Sequence, residues 1–272
     1  MTTARIDARF AKLKAENRAG FVPFVMTGDP SREEALEILK GLPEAGADII
    51  EVGLAFSDPM AEGPPVQRAA QRGLKAGMTL RGTMDLVAEF RKNDQDTPVI
   101  LMGYLNPVES YGYARFAKEA AEAGIDGLIS VDCPPEEAAD LAAAMDSENL
   151  SLIRLATPTS DDARLEVIAR GTSGFIYYVS VAGVTGVKEA QAASVAPAVM
   201  RVRKAAGLPV AVGFGIKTPE RAAEIARVSD AVVVGSALVD EVAAALEAGE
   251  PAAPRVLAKV RALSDAVRNA RN

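Results

Sequence analysis

Two carboxylates stand out by their setting. Glu51 interrupts an apolar run, "DIIEVG" at residues 48 to 53, between Ile50 and Val52. Glu62 follows eleven residues later, within the glycine- and proline-punctuated stretch "LAFSDPMAEGP". An ionised carboxylate is costly to bury unless it is paired, so Glu51 should be hydrogen-bonded, raised in pKa, or both, and these are the properties of a proton shuttle. The alternative is a structural ion pair, for which Arg154 is the only basic residue within a core strand. Glu62, judged by spacing alone, reads by default as a solvated loop charge, and the functional reading is the weaker one. The chain has no histidine and one cysteine, Cys133. Acid-base chemistry therefore falls to Asp, Glu, Lys, Tyr or Cys, and a disulfide framework or thiolate metal cluster is ruled out. The lone cysteine suits a reducing cytosol.

A second cluster is built from glycine. "SVAGVTG" at 180 to 186, "GFGI" at 213 to 216 and "GSALV" at 235 to 239 each follow an apolar run. Gly186, Gly215 and Gly235 let backbone approach a ligand closely. The amides of Gly235 and Ser236 would open a helix, where orphan N–H groups and the helix dipole favour an anion. Any one of these glycines could merely finish a strand. Three on neighbouring strands point to a phosphate. The first half of the chain has no matching cluster in "VMTGDPS" or "SVDCPPEE", so one phosphate is expected rather than two.

Eight apolar or β-branched runs must position these groups: residues 21 to 26, 48 to 53, 98 to 104, 126 to 131, 151 to 156, 174 to 179, 209 to 214 and 230 to 235. Helical patterns lie between them, with start signals at Ser31 and Glu34 as a capping box, Pro135, Thr218 before Pro219, and Ser236. Near-continuous apolar strands alternating with helices imply a parallel sheet buried on both faces. Eight such units in about 250 residues suit an α/β fold of the (β/α)8 TIM-barrel type. An open doubly wound sheet is the runner-up and lacks a first-turn GxGxxG.

Residues 1–272 read as a single domain, since no linker or low-complexity tract divides them. Ile6, Phe10 and Leu13 share one face of a basic N-terminal helix. This resembles a transit peptide superficially, but Asp7 and Glu16 interrupt the charge, and the reading is a helix closing the barrel floor. On strand 2, Ile49, Glu51 and Gly53 share the face that would point inward. The longest connections, 54 to 64 and 180 to 187, leave strand C-terminal ends, which is the active-site face of a barrel. Net charge is −7, which opposes binding to nucleic acid or an anionic membrane, and no uncharged apolar run approaches the roughly 20 residues of a membrane span.

Taken in order, "FVPFVMTGDP", "EVGLAFSDPMAEGP", "LMGYLNP", "AGIDGLISVDCPPEE", "GFIYYVSVAGVTG", "VGFGIKTPE" and "VVVGSALV" cover nearly the whole chain and resemble the tryptophan synthase alpha subunit family. The resemblance implies retro-aldol cleavage of indole-3-glycerol phosphate to indole and glyceraldehyde 3-phosphate, without metal or cofactor in this chain. It places Glu51 at the family's proton shuttle and Glu62 at the carboxylate that hydrogen-bonds indole N1. Phe24, Ile129, Tyr177 and Phe214 fall on the indole pocket. Gly186, Gly215, Gly235 and Ser236 fall on the phosphate site, and Thr185 on a closing loop. The implied partner is a pyridoxal-phosphate-containing beta subunit in a cytoplasmic alpha2–beta2 complex, with Asp58, Pro59 and the segment "YLNPVES" at the docking surface.

Three features depart from the family pattern: Glu62 stands where Asp is usual, "GLAF" lacks an expected proline, and "GPPV" carries an extra one. An added methylene moves a carboxylate by about 1.5 Å, and misplacement of that order can cost about 100-fold in rate. The rival readings are therefore a catalytically weakened regulatory subunit that keeps phosphate and partner binding, a stand-alone indole-releasing lyase, and a different phosphate barrel such as a phosphoribosyl isomerase.

Overall fold

Eight parallel strands close on themselves in chain order: β1 (Gly20–Met26), β2 (Ile50–Gly53), β3 (Val99–Gly103), β4 (Gly127–Ser130), β5 (Ser151–Ala156), β6 (Ile176–Val179), β7 (Val210–Gly213) and β8 (Ala231–Val234). The computed structural model describes residues 2–180, 192–213 and 215–271. Closure is made by β1 against β8, with Gly20 opposite Ala231 and Pro23 opposite Val234. The α/β barrel expected from the repeated apolar runs is therefore the observed fold. Its strands are shorter than most of those runs, because the last residues of several runs already belong to the turns.

The helices are α1 (Thr2–Ala15), α2 (Arg32–Gly41), α3 (Pro64–Lys75), α4 (Leu80–Arg91), α5 (Leu105–Tyr111) and α6 (Tyr113–Ala123), then α7 (Ala139–Ser147), α8 (Asp162–Ala169), α9 (Ala192–Ala206), α10 (Pro219–Ala226), α11 (Ser236–Ala248) and α12 (Ala252–Arg268). Two helices rather than one fill the crossovers after β2 and β3, and α12 follows α11 to pack on α2 and β1. No helix among the described residues is long and apolar enough to cross a membrane.

The start signals act locally, with two exceptions. Ser31 accepts the Glu34 N–H at 3.2 Å and Thr218 accepts the Arg221 N–H at 3.3 Å, as N-caps should. The reciprocal half of the expected capping box is not made. The Glu34 carboxylate instead accepts the N–H of Ala252, tying α2 to the start of α12. Ser236 is not a cap either. Gly235 takes that position without a side-chain bond, leaving the Ser236 hydroxyl for other use.

Alternation along the strands sorts the core into two layers. Val22, Ile49, Ile100, Ile129, Ile153, Tyr177, Ala211 and Val233 fill the barrel interior together with Ile6, Phe10 and Leu13 of α1, which plugs the floor as expected. Their strand neighbours, including Ile50, Val52, Leu101, Leu128 and Val232, point outward against the helices. Because Ile49 is inside, Glu51 two residues on is inside as well, one step nearer the mouth.

Candidate active site

The inward end of β2 delivers Glu51 into a pocket at the C-terminal mouth of the barrel, with Phe24 of β1 directly opposite in register on one side and Ile100 of β3 on the other. Glu51 is 1% exposed, and its Oε1 is buried without a hydrogen-bond partner among the described residues. Burial first, and then the neighbouring Glu62, push its pKa up to about 8. The ion pair with Arg154 is not made. Leu152 and Ala156 mark the outer face of β5 and Ile153 the inner one, so Arg154 belongs to the outside of the barrel wall.

Glu62 reaches the same pocket from the loop after β2, and it is not the solvated charge that its sequence setting suggested. It is 9% exposed, and burial raises its pKa to about 7. The loop is pinned so that this carboxylate turns inward. Its neighbour Ala61 donates its N–H to the Tyr104 hydroxyl at 2.8 Å, while the Tyr104 ring stacks on Phe56 with centroids 5.2 Å apart. Behind it, Gln67 of α3 donates to the Glu62 carbonyl at 2.9 Å, and the Glu62 N–H reaches the Pro59 carbonyl at 3.0 Å. Tyr104 was missed as a site-shaping residue. The available signal was an aromatic with a hydroxyl just past the end of β3.

Phe24, Tyr177, Val66, Met102, Ile216 and Val233 supply the apolar walls. The last four were not singled out by sequence, since apolar residues in strands and amphipathic helices carry no mark of facing a ligand rather than the core. Tyr177 is 5% exposed, and its pKa is raised by burial and then by Glu51 and Glu62, so its ring lies within the field of both carboxyls. Ile129 is fully buried in the barrel interior but does not line the pocket. Phe214, Thr185 and Gly186 lie outside the described residues. Asp58 is exposed and Pro59 half-buried on the outer side of the 54–63 loop, away from the pocket lining.

The opposite side of the pocket is lined by Gly215, Gly235 and Ser236 at the start of α11. Gly215 has φ +73°, a left-handed conformation that favours glycine. Gly235 is different, since the nearest described atoms that a Cβ there would meet belong to Phe24, at an ordinary 3.5 Å. A Cβ would fit there without a clash with the described residues, beside a helix N-terminus with no side-chain cap. Two buried carboxyls, apolar walls and the glycine-lined start of a helix thus converge in one pocket. Among the described lining residues no Lys or Arg contributes.

Comparison with known proteins gives this arrangement a family. A family model described as tryptophan synthase alpha chain matches residues 10–268. The tryptophan synthase alpha chain of Phenylobacterium zucineum is 69% identical across all of this chain and 98% of its own length, and that of Caulobacter vibrioides is 67% identical with the same coverage. Among solved structures, the tryptophan synthase subunit alpha of Legionella pneumophila superposes with a TM-score of 0.91 at 41% identity, covering 97% of this chain and 98% of that one. A Mycobacterium tuberculosis tryptophan synthase chain gives 0.87 at 37% identity over 97% and 98%. With the family model spanning nearly its whole length, the chain belongs to the tryptophan synthase alpha chain family.

Proposed function

We propose that Glu51 and Glu62 are the acid-base pair with which this chain carries out the alpha reaction of its family, the retro-aldol cleavage of indole-3-glycerol phosphate to indole and glyceraldehyde 3-phosphate in tryptophan biosynthesis. The observation that carries the assignment is a fully buried carboxyl with an unpartnered oxygen, sharing one pocket with a second buried carboxyl. Raised pKa values near 8 and 7 favour a neutral Glu51 beside an ionised Glu62 in the interval between them. In that state Glu51 gives its proton to indole C3. Positive charge develops on the ring, and the Glu62 carboxylate accepts a hydrogen bond from N1–H and stabilises it. The Glu51 carboxylate then takes the proton of the glycerol hydroxyl as the carbon–carbon bond breaks, its electron pair returns to the ring, and Glu51 is again neutral. One group donates and recovers one proton per cycle.

Phe24 and Tyr177, with Ile129 and Phe214 as further indole-pocket positions, are assigned to the ring. Gly186, Gly215, Gly235 and Ser236 are assigned to the phosphate through N–H groups and a hydroxyl, and Thr185 to loop closure. The family implies a beta-subunit partner. We assign it an alpha2–beta2 assembly in the cytoplasm, with residues 1–272 as one domain, Asp58 and Pro59 in the docking loop, and pyridoxal phosphate carried by the partner alone. Met60, 74% exposed between those residues and Glu62, places apolar surface where docking would cover it.

Glu62 in place of the usual Asp favours one second reading, a regulatory subunit with weak cleavage. Indole release from indole-3-glycerol phosphate, measured with and without a beta subunit, separates the readings. The expected result is slow release strongly accelerated by the partner. No release in either condition from folded protein would overturn the catalytic assignment, and fast release alone would make it a stand-alone lyase.

A further inference from the structure

Arg154 has no role in the pocket above, and its own surroundings are unusual. It sits on the outer face of β5, 9% exposed, with its Nε buried and without a hydrogen-bond partner among the described residues. Among the described residues it makes no ion pair. Two acids of the same region are engaged elsewhere: Glu136 is bound by Arg164, and Asp132 accepts the Leu105 N–H at 2.8 Å and the Ser130 hydroxyl at 3.2 Å. Burial lowers its pKa, but a guanidinium keeps its charge at any pH the protein meets. Glu136 acts on it only through space, so no acid among the described residues is directly bonded to this largely buried cation, an arrangement that costs free energy unless something binds it.

The space beside Arg154 fits such an occupant. A cleft of about 480 Å³ opens between the C-terminal ends of β4 and β5 and shares no residue with the active-site pocket. Thr157, Thr159 and Ser160 line it with hydroxyls joined to one another at 2.8 and 3.3 Å, and Arg164 adds a second guanidinium at its edge. We propose that this cleft binds a small oxyanion, a carboxylate or a phosphate, with the Arg154 guanidinium as its receptor and the Thr157 and Thr159 hydroxyls as further donors. Planar or tetrahedral oxyanions match the fork of guanidinium N–H groups, and binding would supply the directly bonded partner that Arg154 lacks among the described residues.

Cys133, the only cysteine in the chain, lines the same cleft and reports on it. Its alkylation by neutral iodoacetamide should slow several-fold, and saturably, when acetate or inorganic phosphate is added to the full-length chain at constant ionic strength. Protection by acetate alone identifies a carboxylate site, by phosphate alone a phosphate site, and by both a general oxyanion site. Arg154→Met should abolish the protection and Arg154→Lys should keep part of it. Arg154→Gln takes the place of the Met variant if that does not fold. No protection by either anion, or equal protection in the folded Met or Gln variant, would overturn the proposal. One further measurement needs no variant. The rate ratio of anionic iodoacetate to iodoacetamide at Cys133 should exceed that of a free cysteine peptide, and a ratio at or below it would also sink the idea.

Discussion

Burial, and then the second carboxyl in the same pocket, push the Glu51 pKa up to about 8. The consequence for stability has a definite sign. An unfolded glutamate ionises near pH 4.5, whereas folded Glu51 does so at about 8 and Glu62 at about 7. Between these values the folded chain holds protons that the unfolded chain has released. The penalty is therefore absent below about pH 4.5, grows as pH rises, and is complete above about 8. Glu51→Gln, neutral at every pH, should lose its share of this slope and gain stability over the parent at pH 8 by on the order of a few kcal/mol. Urea unfolding at the two ends of the window tests this, and equal slopes would contradict the raised pKa. The same variant should lose cleavage while retaining substrate binding. For the parent, kcat/KM should rise through about pH 7 and fall through about 8, two limbs that belong to the pair rather than to either residue. Gly235 makes the complementary prediction at the phosphate end. Since its first added carbon meets only ordinary packing, Gly235→Val should fold normally yet raise KM several-fold by crowding the proposed phosphate site. An unchanged KM would remove Gly235 from the anion cradle.

One element decides whether the second carboxylate is in place, and it was the hardest to read. The 54–63 loop looks solvent-exposed in sequence because Ser57, Asp58, Pro59 and Gly63 are turn-forming residues around its charges. What buries Glu62 is a contact from another strand end, since the Tyr104 hydroxyl holds the Ala61 N–H and its ring holds Phe56. Such a pairing spans 43 residues of chain and leaves no local signature. The same limit applies to Glu34, whose local capping pattern is real but whose carboxylate is claimed by Ala252, distant in sequence. By contrast, Glu51 was legible because a charge inside an apolar alternation has few roles besides ion pairing and proton transfer. Tyr104→Phe isolates the loop's contribution. It deletes one hydrogen bond of about 0.5–1.5 kcal/mol and keeps the ring stack, so thermal stability should move by only a few degrees. Displacement of Glu62 by even a fraction of an ångström should nonetheless lower kcat by about ten-fold. Unaltered kcat in a melting-matched variant would show that the stack alone fixes the loop.

At the scale of the whole barrel, chemistry and stability are assigned to opposite ends of one continuous interior. Eight apolar runs and the inward alternation of β2 were enough to anticipate the closed sheet, because backbone pairing and burial on both faces leave few other arrangements for that pattern. The interior cluster then runs from Phe10 of α1 at the floor to Tyr177 at the mouth without a break. Phe10 packs against Phe175, with ring centroids 5.7 Å apart and planes tilted by 55°. Glu51, Glu62 and the glycine cradle all lie at the other end. Phe10→Ala should remove a buried ring and leave a cavity, lowering stability by about 3–5 kcal/mol and the denaturant midpoint with it. If the layers between floor and mouth are as rigidly packed as their burial implies, the strand ends that carry Glu51 and Tyr177 do not feel this cavity. The variant should then keep kcat within about two-fold under conditions where it remains folded. A fall in kcat matching the loss of stability would mean that the barrel interior transmits strain from floor to mouth, and that α1 helps set the geometry of the carboxylate pair.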